Sequence, residues 1–517
     1  MRQAGASTLD QAGAASTRRL MLPAYCAAAL ILIVRLLTAG RYGYFRDELY
    51  FLACGEHLAW GYVDHAPLIG LIAWLSRALF GDSLYSLRLF PALASAGKFL
   101  LIGGIVRELG GRRTAVTLAC LGWLAAPAFL NSDTRLSMNA FEPLFWMGSV
   151  YALLLVINRR NPRLWLWFGV LVGLGLENKH STLFFLLAVI VGLLLTQPRR
   201  TLTDKWLWIA WAIAGFIFLP NLVWQWANHW PTLEHLSSVK RTHQNIELAA
   251  LPFLTQQVRM LNVANILIWL PGLWFLLADR EGKRYRALGW TYLAFLAAMM
   301  LLKGKDYYLT PIYPMLFAAG GVWWERLTAT RFRWSLGVIA VLALALGCLK
   351  APFELPILSP GTFLKYRAAL NARPSRTETR QSGLLPQHFG DEFGWPEMVD
   401  AVSRIYHRLP PEQQAKTAIF TNNYGEAGAI DFFGPRHGLP KAISAHQTYY
   451  LWGPRDYTGE SVIVLQWDRT KAERYFTSVQ SETTLDPPYA MDEERYTIYL
   501  CTGMKRPLAE VWPELRH

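Results

Sequence analysis

Residues 18–67 open with Arg18-Arg19 and run through LMLPAYCAAALILIVRLLTA at 20–39. They then reach the charged patch Arg46-Asp47-Glu48-Leu49-Tyr50 and, shortly after, Tyr62-Val63-Asp64-His65-Ala66-Pro67. A mainly apolar stretch of about 20 residues behind a basic pair has the length and the flank of a membrane span. No small-residue cleavage pattern follows it and many further apolar segments do, so it reads as an uncleaved first span rather than a signal peptide. Carboxylates are costly near lipid, which makes the acids just beyond the span a functional-site hypothesis by default.

Composition supports the same class. The 517 residues are 53% hydrophobic and 14% aromatic, with only 17% charged, against about 25% charged in a soluble globular chain; mean hydropathy is positive, +0.19. A net charge of +14 would suggest nucleic acid in a soluble protein. Here the basic residues sit in short loops between apolar runs, where the positive-inside rule places them, and nucleic acid is excluded as a partner. Five scattered cysteines without a CxxC pair give neither a disulfide framework nor a zinc site.

Apolar runs recur near 21–39, 88–106, 114–130, 138–157, 164–176, 181–195, 206–227, 262–278, 287–302, 307–325 and 334–350, which predicts about eleven spans. Alternate loops collect Arg18 and Arg19; Arg107, Arg112 and Arg113; Arg159, Arg160 and Arg163; Arg199, Arg200 and Lys205; Arg280, Lys283, Arg284 and Arg286; and Arg326, Arg331 and Arg333. This pattern puts the N-terminus in the cytoplasm. The opposite loops hold acids, histidines and a few lysines, concentrated on the outer face. Trp206, Trp208, Trp224, Trp226 and Trp230 suit an interfacial aromatic belt.

Three regions follow: a cytoplasmic tail at 1–19, a membrane domain at 20–350 and an extracytoplasmic domain at 351–517. In the last, the short runs 417–420, 461–465 and 496–500 read as buried strands between helical pieces, hence a small α/β domain. The stretch Thr421-Asn422-Asn423-Tyr424-Gly425-Glu426-Ala427-Gly428-Ala429 reads as a strand-to-helix turn whose helix N-terminus can receive an anion.

Asp47 and Glu48 are adjacent, so on a helix they diverge by about 100° and only one can face a substrate directly. Leu49 to Trp60 reads as an amphipathic helix lying in the interface. Arg46, Arg88, Lys179, Lys303 and Lys305 are candidate phosphate partners. Lys98 lies inside a span and calls for an acid partner.

The acid pair in the first outer loop, the Asp64-His65-Ala66-Pro67 motif, Lys179 after a glycine-rich span, and Lys305-Asp306-Tyr307-Tyr308-Leu309-Thr310-Pro311-Ile312-Tyr313-Pro314 together resemble the GT-C glycosyltransferases of family 39, the protein O-mannosyltransferase and aminoarabinose-transferase group. The resemblance covers residues 20–350. It implies a polytopic α-helical GT-C fold and transfer of a sugar from a polyprenyl-phosphate donor to an envelope lipid, glycan or protein, with inversion, at the outer face of a bacterial inner membrane.

By the same resemblance Asp47 is the catalytic carboxylate with Glu48 beside it. The resemblance places Asp64 and His65 in the second juxtamembrane motif; the chemistry of a lipid-phosphate donor, apart from the resemblance, adds Arg46, Arg88, Lys179, Lys305 and Tyr308 to them as candidates for substrate and phosphate. Asp64 and His243 can share a divalent metal, although no cofactor is required. The family's acid early in the fourth span is Asn139 here, with Glu142 one turn on along the same helix face. The rival reading, a transporter or lipid flippase, calls for polar groups near the bilayer midplane, whereas this chain gathers them at one edge. A non-catalytic envelope assembly protein has no need of a one-sided acid cluster.

Overall fold

The computed structural model describes residues 2–242, 246–372 and 383–516. Each of the eleven apolar runs contains a helix: Arg2–Thr38, Leu84–Glu108, Arg113–Leu124, Met138–Arg159, Trp165–Asn178, Thr182–Leu194, Lys205–Ala227, Ile266–Leu277, Arg286–Leu301, Tyr313–Thr330 and Arg333–Glu354. Their lengths are unequal. Among the described residues five segments are long and apolar enough to cross a membrane: Ser16–Thr38, Leu84–Glu108, Met138–Arg159, Lys205–Ala227 and Arg333–Glu354. A sixth is added if the pair Ala250–Met260 and Val263–Leu277, bent by 99°, counts as one span. The 12-residue helix Arg113–Leu124 rises about 18 Å, short of a hydrocarbon core of about 30 Å. Periodicity thus locates the helices, while length separates five clear spans from shorter apolar helices.

Contacts divide the chain into two compact units. One comprises Met1–Ala39, Arg88–Trp224 and Ile246–Ile357; the other Gly40–Leu87, Gln225–Asn245 and Leu358–His517. The division expected at 350 follows chain order, whereas the packed units gather residues 40–87 and 225–245 with the C-terminal region.

In the first unit the helices close on a core that includes Trp123 stacked on Phe129 with ring centroids 3.6 Å apart. Arg35, a cation inside the first span, donates to the carbonyls of Leu130 at 2.6 Å and Phe129 at 2.9 Å and to the Thr134 hydroxyl at 2.7 Å. It thereby satisfies the open carbonyl end of helix Pro127–Ser132. Trp208 and Trp226 are exposed, in keeping with a belt role.

The second unit is built on a five-stranded sheet of β1 (Thr417–Thr421), β2 (Ile443–Ser444), β3 (Ser461–Val464), β4 (Phe476–Thr484) and β5 (Thr497–Met504), in the order β2-β1-β3-β5-β4. β1 pairs in parallel with β2 and β3, and β5 runs antiparallel to β3 and β4. The interior strand β1 is buried at every residue, as a parallel strand covered on both faces should be. This is the expected α/β domain. Helix Arg46–Glu56 belongs to this unit and is buried along almost its whole length, so it is an internal packing helix and not the surface-lying one expected over 49–60. Its partner is helix Tyr424–Phe433, which approaches through two glycines. A Cβ on Gly425 would stand 2.4 Å from Arg46 Cγ, and one on Gly428 2.7 Å from the Leu49 carbonyl carbon.

Candidate functional site

In the second unit, Arg46, Asp47 and Glu48 form the first turn of helix Arg46–Glu56, where acids complement the exposed backbone N–H groups and the helix dipole. The two acids separate as their spacing demands. Glu48 is buried, and its Oε2 accepts from the Phe45 backbone N–H at 2.9 Å, so it closes its own helix. Asp47 is half-buried and its Oδ1 accepts the Tyr424 phenol at 2.8 Å. The Tyr424 ring lies flat on His446, 10° between planes, and beneath the Arg46 guanidinium at 4.9 Å.

Arg46 is engaged within its own unit. It is buried, Nη1 donates to Glu493 at 2.7 Å, and its backbone N–H donates to the Asp391 carbonyl at 3.0 Å. Nearby, Glu426 accepts from the backbone N–H groups of Asn422 and Asn423, while Asn423 Oδ1 accepts from Gly425 and Glu426. That capping box occupies the helix N-terminus considered for an anion. Burial pushes the Glu426 and Glu494 carboxyls upward.

The second motif lies in the same unit. Asp64 Oδ1 accepts the Tyr50 phenol at 2.8 Å. Tyr50 is also 2.6 Å from the Thr448 hydroxyl, and Thr448 Oγ1 accepts the Val63 N–H at 3.1 Å. Burial first, then the Asp64 charge, holds the Tyr50 phenol well above its usual range, which keeps it a donor. The Tyr50 and Tyr424 rings pack 4.7 Å apart, so the phenols serving Asp64 and Asp47 share one aromatic step.

His65 is a core residue: 2% exposed, with Tyr62 packed on its face and Phe51 at its edge. Its Nδ1 lies 2.9 Å from the Ala66 carbonyl, which can only accept. Nδ1 therefore carries the proton, and Nε2 accepts from the Cys54 thiol at 3.7 Å.

A metal through Asp64 and His243 has little to build on. His243 lies outside the described residues, Asp64 is engaged by a phenol, and no group of three His, Cys, Asp or Glu side chains among the described residues has metal-holding geometry.

The first unit holds the lysines. Lys179 Nζ donates to Glu142 Oε2 and Asn139 Oδ1, both at 2.8 Å, so the two residues one turn apart on helix Met138–Arg159 act together, as their shared face predicts. Ser181 donates to the other Glu142 oxygen. The same ammonium lies 4.6 Å from the Tyr308 ring centroid and 5.6 Å from that of Tyr307, and Lys305 stands 5.9 Å from Tyr307 on its own account. Lys179, Lys305 and Tyr308 are thus brought together. Lys303 pairs instead with Glu247 at 2.6 Å. Arg88 is buried and donates to the Ala39 carbonyl at 2.8 Å, a structural tie. Lys98 has its acid partner in Asp133, 2.6 Å away with neither side chain exposed.

Tyr424, Tyr50 and Thr448 did not emerge from the sequence as site residues. Tyrosine and threonine carry no charge pattern, and each lies far along the chain from one of its partners. The one signal was the Gly425-Glu426-Ala427-Gly428 spacing, small residues three apart that permit a close helix crossing.

Residues 64–224 match the family model described as dolichyl-phosphate-mannose-protein mannosyltransferase. A lipid A galacturonosyltransferase, RgtD, of Rhizobium johnstonii is 26% identical over 201 residues, 38% of this chain and 41% of that protein; the match thus spans about two-fifths of the curated relative's length. Among solved structures, ArnT of Cupriavidus metallidurans bound to undecaprenyl phosphate superposes with a TM-score of 0.60 at 13% identity, over 92% of this chain and 97% of that one. Its apo form gives 0.59 at 12% over the same shares. The chain is an integral membrane protein with the fold of ArnT, and residues 64–224 carry the sequence pattern of the protein-mannosyltransferase model.

Proposed function

We propose that the protein is an inverting glycosyltransferase of a bacterial inner membrane that moves a sugar from a polyprenyl-phosphate donor to a lipid, glycan or protein acceptor at the outer face. The donor class is supported by the ArnT structure, which holds undecaprenyl phosphate, and a lipid-borne acceptor by RgtD, which is named for lipid A. The N-terminus is assigned to the cytoplasm and residues 351–517 to the outer side.

In the reaction the acceptor oxygen bonds to the anomeric carbon as the bond from that carbon to the phosphate oxygen breaks. The electron pair leaves with the phosphate, and the acceptor proton passes to the Asp47 carboxylate as general base. Lys179 and Lys305, with Tyr308, are assigned to the phosphate, where cations offset the charge that grows on the leaving group. Glu48, Arg46, Arg88 and His65 are assigned to structure by their burial and partners, and Asp64 to the substrate side.

The observation that carries the reading is the division between adjacent acids: Glu48 is occupied by its own helix while Asp47 remains half-exposed at a helix N-terminus. Mass spectrometry of envelope lipids and glycans tests it, in cells lacking the chain and complemented with native protein or Asp47→Ala at equal membrane abundance. Loss of one sugar from an acceptor with its polyprenyl-phosphate form accumulating in the mutant supports the transferase. A donor trapped on the cytoplasmic side points to the flippase, and a native profile from Asp47→Ala removes the assigned base.

A further inference from the structure

We infer that Tyr424, from the C-terminal α/β region, is a positioning residue for the Asp47 carboxylate. This inference rests on the transferase reading and extends it to a residue more than 350 positions away in sequence.

Three observations carry it. The Tyr424 phenol donates to Asp47 Oδ1 at 2.8 Å, a charge-assisted contact that favours the ionised carboxylate and fixes its rotamer. The ring is itself clamped, by His446 stacked on one side with centroids 5.1 Å apart, by Arg46 at 4.9 Å and by Tyr50 at 4.7 Å, so the phenol has little freedom to follow the acid. Finally, Gly425 and Gly428, which follow Tyr424 directly in its helix, leave no room for a Cβ against Arg46 and Leu49, so the crossing that delivers the phenol is set by backbone contact.

A general base that swings between rotamers samples the reactive geometry only part of the time, and small misplacements cost rate steeply. Tyr424 removes that freedom without touching substrate. The charged and titratable groups around the pair are Arg46, Glu48 and Tyr50 from helix Arg46–Glu56, Glu426 from the Tyr424 helix, His446 from the loop preceding helix Gln447–Trp452, and Glu493 through its ion pair with Arg46. Within the pair, Tyr424 donates its phenol to Asp47 Oδ1 at 2.8 Å.

The test uses the full chain in liposomes with the radiolabelled polyprenyl-phosphate sugar fraction extracted from cells lacking the protein, and membranes of the same cells as acceptor. Tyr424→Phe, which removes one oxygen, is expected to lower kcat about 10-fold with little change in donor KM. Its acidic limb should move up by about one pH unit, because the carboxylate loses a donor to its charged form. On an Asp47→Asn background the same change is expected to cost nothing further, since both act through one group. Should Tyr424→Phe not fold, 3-fluorotyrosine at 424, a stronger donor of the same shape, is expected to move the limb to lower pH.

If native protein transfers label and Tyr424→Phe matches it in rate and pH profile, or if the fluorinated phenol leaves the limb in place, the positioning role is overturned and the transferase stands. Native protein that moves no label overturns the transferase reading and this inference with it.

Discussion

Lys98 and Asp133 form an ion pair of 2.6 Å in which neither side chain is exposed at all. Ser132 donates to the same Asp133 oxygen at 3.0 Å. Removing one partner strands a charge in a low-dielectric setting, a cost of about 3–5 kcal/mol, whereas replacing both with apolar residues of similar volume is often near neutral. Asp133→Ala is therefore expected to lower the melting temperature of the detergent-purified protein sharply, and Lys98→Met with Asp133→Leu to recover most of the loss. A double variant as unstable as the single would contradict the pairing.

Lys179 carries a different expectation, because its ammonium meets Glu142, Asn139 and the Tyr308 ring and is 14% exposed. If it serves the donor phosphate, Lys179→Met should weaken retention of undecaprenyl phosphate by about 10-fold, the size of one charge-assisted contact. Glu142→Gln, which preserves an acceptor for the ammonium, should change it far less. Equilibrium binding of labelled undecaprenyl phosphate to detergent-purified protein decides this, and equal affinities for native and Lys179→Met would remove the lysine from the phosphate site.

Asp431 sets a pH dependence of stability. It is buried, accepts the Ala442 N–H at 2.8 Å and the Tyr449 phenol at 2.9 Å, and burial raises its carboxyl from 3.8 to about 6. The folded state therefore keeps this proton to higher pH than the unfolded chain does. Its contribution is fully present below the unfolded value and declines as pH rises through the folded one, by an amount on the order of 3 kcal/mol in total. Thermal melts between pH 4 and 7 should show this decline in the native protein and a flatter profile in Asp431→Asn; parallel profiles would refute the assignment.

Gly428 tests the helix crossing. A methyl there would stand 2.7 Å from the Leu49 carbonyl carbon and 3.0 Å from the Tyr50 nitrogen, and backbone cannot yield as a side chain can. Gly428→Ala is expected to destabilise by about 1–3 kcal/mol through overpacking and to reduce transfer by loosening the approach of Tyr424 to Asp47. Melting and transfer measured together check both, and a variant with native values of each would show the contact to be slack.

What the chain reveals of itself is uneven, for physical reasons. Helices at the apolar runs and strands at 417–421 and 461–464 are local consequences of periodicity and were legible, as was the divergence of Asp47 from Glu48. Asn139 and Glu142 meeting one lysine follows from helical spacing plus a single long-range contact. The partners of the acid motif were not legible: Tyr424 lies 377 residues from Asp47 and Glu493 lies 447 from Arg46. Such pairs depend on how helices cross, which no local pattern encodes. For the same reason Arg46 and His65 looked like substrate groups in a polar loop, where folding gives the one a carboxylate partner in Glu493 and the other an aromatic box. The number of spans does not follow from the apolar runs, because apolarity marks a helix as buried or lipid-facing without fixing its length.

The most direct test of the central claim is single-turnover transfer by the purified full chain in liposomes, comparing native protein with Asp47→Asn on the same radiolabelled polyprenyl-phosphate sugar fraction and acceptor membranes. The account predicts label moving to the acceptor with native protein and a rate at least about 100-fold lower with Asp47→Asn, donor binding being retained. Equal rates for the two proteins would contradict it.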